Sequence, residues 1–327
     1  MEPTQSPLPA GRLEHFPISF FSIVMGLAGL TIAFKKVEHL WHWSLPVSPV
    51  LFYLSAAIYL AVGATYLVKL ARHRSHVVAE FNHPVRLSFF PTIPIGLLLL
   101  VVAAEGLLPR AALLTMWALG TAAQLLLALS ILSAWMHHEK FQIQHSNPAW
   151  FIPIVGNILV PVSGIPLGFI EISWFFFSVG FLFWIVMLAI LMNRFFFHSP
   201  MASKLLPTLF ILIAPPAVGF IAWTRLHKGA LDDTGRMLYY VALFTTLLLF
   251  FQIRQFMKVE FALPWWAYSF PTASITIAST LMLEKVGGTF FAVLTPLLLV
   301  FLSVMVLVLV IGTLRAMAQR GICLPEA

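Results

Sequence analysis

Charge is what this sequence lacks most. Asp, Glu, Lys and Arg make up 9% of its 327 residues, against about 25% in a soluble domain, which excludes an ordinary water-facing globule. Cysteine is nearly missing as well: Cys323 stands alone, so an internal disulfide framework is impossible. Ionisable residues are absent from the middle of the long apolar runs, with Glu105, Glu171 and Glu284 falling at their ends. A proton-coupled carrier usually keeps an acid or histidine at the membrane midplane as a relay. No Gly-rich phosphate loop, nucleophile elbow or paired intramembrane acid occurs, so neither ATP-driven pumping nor an enzyme activity is expected. The histidines, among them His39/His42, His73/His76 and His137/His138, lie in loops or near span ends. No cysteine or carboxylate cluster completes a ligand set around them. No metal, other cofactor or nucleic-acid partner is expected.

What is present is apolar length. Hydrophobic residues make up 60% of the chain, and its mean hydropathy is +0.95. A membrane span needs about 20 apolar residues. Ten such spans are read here, at 16–34, 47–69, 86–105, 110–135, 149–169, 171–192, 204–224, 236–257, 264–283 and 288–314. They form one all-α membrane domain over 16–318, between tails at 1–15 and 319–327. The opening residues show no cleavable signal pattern, so the first span is expected to direct its own insertion. The short turns LLPR, FIEIS and EKVGG make antiparallel neighbours, and the spans group as five hairpins.

Of the 19 basic residues, seven (Lys35, Lys36, Arg110, Arg225, Lys228, Arg236 and Lys285) fall on one predicted side. The remainder, Lys140 and Arg320 among them, fall on the side of the two termini. By the positive-inside rule both termini are cytoplasmic. The net charge of +7 reads either as this ordinary cytoplasmic excess or as a mildly positive field that favours anions at a pore mouth.

Proline recurs inside the odd-numbered spans, at Pro94, Pro153, Pro215/Pro216 and Pro271, each followed shortly by a small residue: Gly96, Gly156, Gly219 and Ser274. The first span has Gly26 and Gly29 in the corresponding region, with Val24 where a proline would align. A mid-span proline removes a helical hydrogen bond. In lipid the freed group must be satisfied by protein, water or a cavity. The even-numbered spans are smoother and rich in Leu, Phe and Val. A hairpin repeated five times, kinked in its first helix and straight in its second, predicts five inner helices lining a cavity and five outer helices facing lipid.

The polar side chains of the inner spans are mostly hydroxyls and one amide. Phe20, Ser22, Ser88, Asn157 and Ser269 are the pore-lining candidates. Such groups either solvate an anion weakly, as fast conduction requires, or bond back to their own helices. His83 and Arg86 flank the opening of the third span, where they would meet anions or lipid phosphate. Phe270 directly precedes Pro271, which restricts its backbone. Its ring either packs or plugs a narrow lumen.

The stretches SFFSIVMGLAGL (19–30), FNHPVRLSFFPTIP (81–94), NPAWFIPIVGN (147–157), LFILIAPPAVGF (209–220) and PWWAYSFPTASITIAS (264–279) fall in all five hairpins. They resemble the tellurite-resistance/dicarboxylate transporter family. It includes bacterial TehA proteins, fungal malate and sulfite transporters, and the plant guard-cell slow anion channels. The resemblance implies ten transmembrane helices as five hairpins in a quasi-five-fold ring around a pore, a homotrimer with one pore per protomer, and a place in the bacterial inner membrane. It also implies that Phe270 occludes the pore, and that pore electrostatics and desolvation set the selectivity. The expected function is passive transport of small anions such as chloride, nitrate or sulfite. The alternatives are a secondary carrier for four-carbon dicarboxylates such as malate, tellurite or sulfite efflux, and, more remotely, a membrane sensor or scaffold.

Overall fold

The computed structural model describes residues 11–139, 141–319 and 321–323. The predicted tail residues 1–10 and 324–327, with Lys140 and Arg320, lie outside the described residues. The described chain is helical, and no strand occurs in it.

Twelve α-helices follow in order: α1 (Phe21–Trp41), α2 (Val47–Arg72), α3 (Arg74–Asn82), α4 (Thr92–Ala104), α5 (Arg110–His137), α6 (Ile152–Gly164), α7 (Ile170–Phe197), α8 (Ala214–Leu226), α9 (Asp233–Phe251), α10 (Ile253–Phe256), α11 (Ser269–Val286) and α12 (Thr289–Ala318). Helical segments therefore stand at all ten predicted positions. The short α3 and α10 are additions in polar connections, where apolar patterning carries no signal. Among the described residues eight helices are long and apolar enough to cross a membrane. The segments containing α6 and α11 fall outside that group. Pro148–Gly164 is short, and α11 carries hydroxyls at Ser269, Thr272, Ser274, Thr276, Ser279 and Thr280.

Burial separates two classes. In the segments containing α1, α4 and α8, 78%, 89% and 78% of the most apolar window is buried, against 22% to 39% in α2, α5, α7, α9 and α12. The outer helices leave Leu60, Leu126, Leu182, Leu247 and Leu297 largely exposed, an apolar surface that suits lipid and would be a liability in water. α1 packs on α4, α4 on α6, α6 on α8, α8 on α11, and α11 back on α1. The contacts of these five helices thus close on themselves, and each outer helix lies against one or two of them. Gly287 and Gly288, with φ of 69° and 87°, make the tight connection from α11 to α12, a conformation open to glycine at little cost.

Each of the five inner elements changes helix type along its length. A 3-10 segment precedes the α-helix: Ile18–Phe20 before α1, Arg86–Phe89 before α4, Pro148–Phe151 before α6, Ser203–Ile213 before α8, and Leu263–Tyr268 before α11. Pro94, Pro153, Pro215, Pro216 and Pro271 sit at the second or third position of the following α-helix. There the missing N–H has no partner within the α-helix itself. Winding α backwards across a proline would require that N–H, so the preceding turn tightens instead. Runs of 3-10 helix longer than 3–4 residues are uncommon. The 11-residue run Ser203–Ile213 is bounded by Pro215 and Pro216 and contains Pro207, each of which removes an α-type donor.

Side chains satisfy the carbonyls near these junctions. Thr92 Oγ1 donates to Phe89 O (2.5 Å), Thr272 Oγ1 to Tyr268 O (2.7 Å), and both Asn157 Nδ2 and Gln124 Nε2 donate to Pro153 O (2.8 Å each). The 3-10 segments also contact one another around a circuit: 18–20 with 86–89, 86–89 with 148–151, 148–151 with 203–213, 203–213 with 263–268, and 263–268 with 18–20. Both described ends of the chain share this face, since Cys323 lies within reach of the charges of Arg12 and Lys69. Burial pushes its thiol up, and those two cations pull the other way.

Candidate functional site

A cavity of about 360 Å³ is lined by residues from all five inner helices. Along α11 its wall is Phe270, Ser274, Ile277 and Leu281, ending at Glu284 and Lys285. That spacing of three and four keeps one face of the helix turned to the cavity. From Phe270 to Glu284 it runs about 21 Å at 1.5 Å per residue. The other helices add Ile32 and Lys36 (α1), Leu99 and Val102 (α4), Leu159 and Val162 (α6), and Val218, Ile221, Thr224 and Arg225 (α8). These are mostly in the later turns of their helices, so the cavity occupies the end opposite the 3-10 segments. Phe270, 6% exposed, lies at its inner end.

The wall is apolar and the mouth is basic. Lys36, Arg225, Lys228 and Lys285 line the cavity beside a single carboxylate, Glu284. Lys285 is 3.6 Å from Glu284, and Arg225 is 3.7 Å from Glu105. Among the described residues Lys36 and Lys228 have no ion-pair partner. Parallel helices ending together gather the negative ends of their dipoles, which would repel an anion; the cations offset this. Lys35 acts directly on one of them. Its Nζ donates to Val102 O and Ala103 O (3.2 Å each) and to Glu105 O at the end of α4.

The polar groups on the wall are already engaged. Ser274 Oγ donates to Phe270 O and Thr224 Oγ1 to Phe220 O, both at 2.9 Å. Neither hydroxyl proton is aimed at the lumen, so the wall offers an anion no strong donor.

Of the sequence-predicted residues, Phe270 and Ser274 line this cavity. The others have different surroundings. Gly26 and Gly29 are where α1 meets α11: a Cβ on Gly26 would collide with Ser269, and one on Gly29 would sit 2.7 Å from Ala273 Cβ and 3.9 Å from the Phe270 ring. Gly96 faces Tyr59 of α2, Gly156 faces Gln124 of α5, and Gly219 faces Leu238 of α9, so these glycines admit outer helices. Ser269 Oγ donates to Trp266 O (2.6 Å). Phe20 stacks on Phe16 with centroids 4.3 Å apart, and Ser22 is half-buried. Ser88 is fully buried, with no hydrogen-bond partner for its Oγ among the described residues. His83 and Arg86 stand together ahead of α4, where His83 Nδ1 accepts the N–H groups of Val85 (3.2 Å) and Arg86 (3.3 Å).

The basic mouth escaped the sequence reading, which used these residues only for orientation. The available signal was position. Lys36, Arg225 and Lys285 each follow the predicted end of an inner span by one or two residues, so continued winding keeps them on the helix.

The close approach at Gly29 supports a test. Gly29→Ala is expected to cost about 1–3 kcal/mol, the usual cost of overpacking, because the facing atom is a Cβ with no freedom to rotate away. Thermal unfolding in detergent checks it: a midpoint unchanged from wild type would show that α1 and α11 do not touch there.

Residues 15–314 match the family described as voltage-dependent anion channel, SLAC1. Among curated relatives, the S-type anion channel SLAH2 of Arabidopsis thaliana is 29% identical over 95% of this chain and 61% of its own length. The guard cell S-type anion channel SLAC1 of the same plant is 27% identical over 92% of this chain and 56% of its own. The tellurite resistance protein TehA homolog of Haemophilus influenzae is 28% identical over 93% of this chain and 91% of its own. The chain thus spans a little over half the length of these plant relatives. With the family matched across all five hairpins, this multi-pass helical membrane protein belongs to the SLAC1 voltage-dependent anion channel family.

Proposed function

We propose that this chain forms a passive path for small anions along the axis of its five inner helices, closed by the Phe270 ring. One observation carries the reading. A cavity bounded by all five inner helices is basic at its mouth, apolar along its wall, and ends at Phe270. The mouth raises the local anion concentration, and the wall binds weakly enough to release what enters. With no donor turned to the lumen, passage is ordered by the cost of dehydration, so nitrate passes more readily than chloride, and chloride more readily than sulfite. The curated relatives named as anion channels support the class of cargo.

The fuller proposal has ten spanning helices in a ring, a homotrimer with one path per protomer, and an inner-membrane location with both ends of the chain in the cytoplasm. The shared face of the described ends and the exposed apolar outer helices support it, together with the resemblance of the whole chain to its relatives.

Purified protein in planar bilayers under a chloride gradient tests the function. The expected result is a current whose reversal potential follows the anion gradient and shifts on exchange for nitrate. Silence in that assay, with uptake of labelled malate driven by a pH gradient, would overturn the channel reading in favour of a coupled dicarboxylate carrier.

A further inference from the structure

We infer that the vestibule is a binding site for organic monoanions with an apolar body, and that such a molecule blocks the path. The inference concerns the same cavity as the proposed function, but binding does not require that the cavity conduct.

The argument begins with what the cavity offers an occupant. Its volume, about 360 Å³, lies within the roughly 300–1,000 Å³ of small-molecule sites, and is far larger than a chloride or nitrate ion needs. Leu99, Leu159, Val162, Ile221 and Ile277 present hydrocarbon on four of the five helices, and a rigid apolar body gains by covering them. The two polar wall groups, Ser274 and Thr224, already give their protons to Phe270 O and Phe220 O. A charge held at wall depth would therefore lose its hydration without a compensating bond, which is costly. Charge is accommodated at the mouth alone, where Lys36 and Lys228 have no carboxylate partner among the described residues and Arg225 and Lys285 stand nearby.

These two zones select a shape. A molecule with one anionic end and a hydrocarbon body satisfies both zones at once. A dicarboxylate of the malate type places its second charge against the wall, and acetate leaves the wall uncovered. A neutral isostere covers the wall but leaves the cations hydrated and unpaired. The preferred ligand class is thus an aryl or medium-chain carboxylate or sulfonate, seated with its charge outward above the Phe270 ring.

The test uses the full chain in lipid nanodiscs, with 4-(trifluoromethyl)benzoate followed by fluorine NMR line broadening against empty nanodiscs. Binding of the benzoate is expected at least about tenfold tighter than that of the neutral 4-(trifluoromethyl)benzamide, with excess malate or acetate a poor competitor. Lys36→Gln, a half-buried position at the rim, is expected to weaken the benzoate at least about tenfold. Val162→Trp, which fills the wall, is expected to abolish binding; gel filtration establishes that the variant is folded, and Lys36→Gln carries the test if it is not. Equal binding of benzoate and benzamide, undiminished binding to Lys36→Gln, or displacement by malate as effective as by unlabelled benzoate would each overturn the inference. Lys36-dependent binding in a preparation that passes no anion current leaves the inference standing and removes the pore reading. Anion current with no benzoate binding does the reverse.

Discussion

Phe270→Ala is expected to raise anion conductance by at least about tenfold, equivalent to about 1.4 kcal/mol off the barrier, while leaving the protein close to wild type in stability. The two halves of this result depend on the same geometry. A phenylalanine packed on all sides costs about 3–5 kcal/mol when cut to alanine, through lost transfer energy and the cavity left behind. Phe270 borders a cavity of about 360 Å³, and the described contact on its α1 side is Gly29, which has no side chain. Less packing is there to lose, and the space released adds to a lumen that already exists. The barrier an apolar ring sets is steric and dewetting, so intermediate sizes should grade the response, with Phe270→Leu between alanine and wild type. Bilayer currents of the three proteins, with thermal unfolding of each, check both halves. An unchanged current beside a stability loss in the full-burial range would make Phe270 an ordinary packing residue and end the gate proposal.

Glu80→Ala is expected to be among the most damaging single substitutions in this fold, at about 3–5 kcal/mol. Glu80 and Lys69 are each 3% exposed and lie 2.7 Å apart. Glu80 Oε1 accepts the Ile18 N–H at 2.7 Å, and Oε2 accepts the Tyr66 hydroxyl at 3.0 Å. Lys69 Nζ also donates to Phe16 O at 2.8 Å. The pair thus joins α2, α3 and the backbone leading into α1. Removing one partner of a buried pair strands the other charge, which accounts for a cost of that size. An exposed pair would be worth about 0–1 kcal/mol. Lys69→Leu with Glu80→Leu is expected to cost less than Glu80→Ala alone, because no lone charge remains. Thermal or denaturant unfolding in detergent decides it, and a Glu80→Ala protein within about 0.5 kcal/mol of wild type would show the pair to be solvated.

The sequence by itself determined the layering. A bilayer imposes one solvent on every outer surface, so helices that meet lipid stay uniformly apolar, and those that carry proline, glycine and hydroxyls must be turned inward. That physics is local to each span, which is why inner and outer helices were separable and the hairpins countable without coordinates. Proline's missing donor is equally local, and it marked the five inner elements, even though a change from 3-10 to α winding stands where an interrupted α-helix was expected.

Tertiary structure alone decided what depends on residues far apart in the chain meeting in space. Lys69 looks in sequence like a basic residue closing a span; its partner Glu80 sits on the short helix α3, which has no apolar period to announce it. Gly96, Gly156 and Gly219 share a place in the repeat, but which neighbour each admits follows from helix rotation. Lys36, Arg225, Lys228 and Lys285 come from three separate hairpins. They become a basic mouth only because five parallel helices end at one level, where their charges oppose the helix dipoles and face a common cavity.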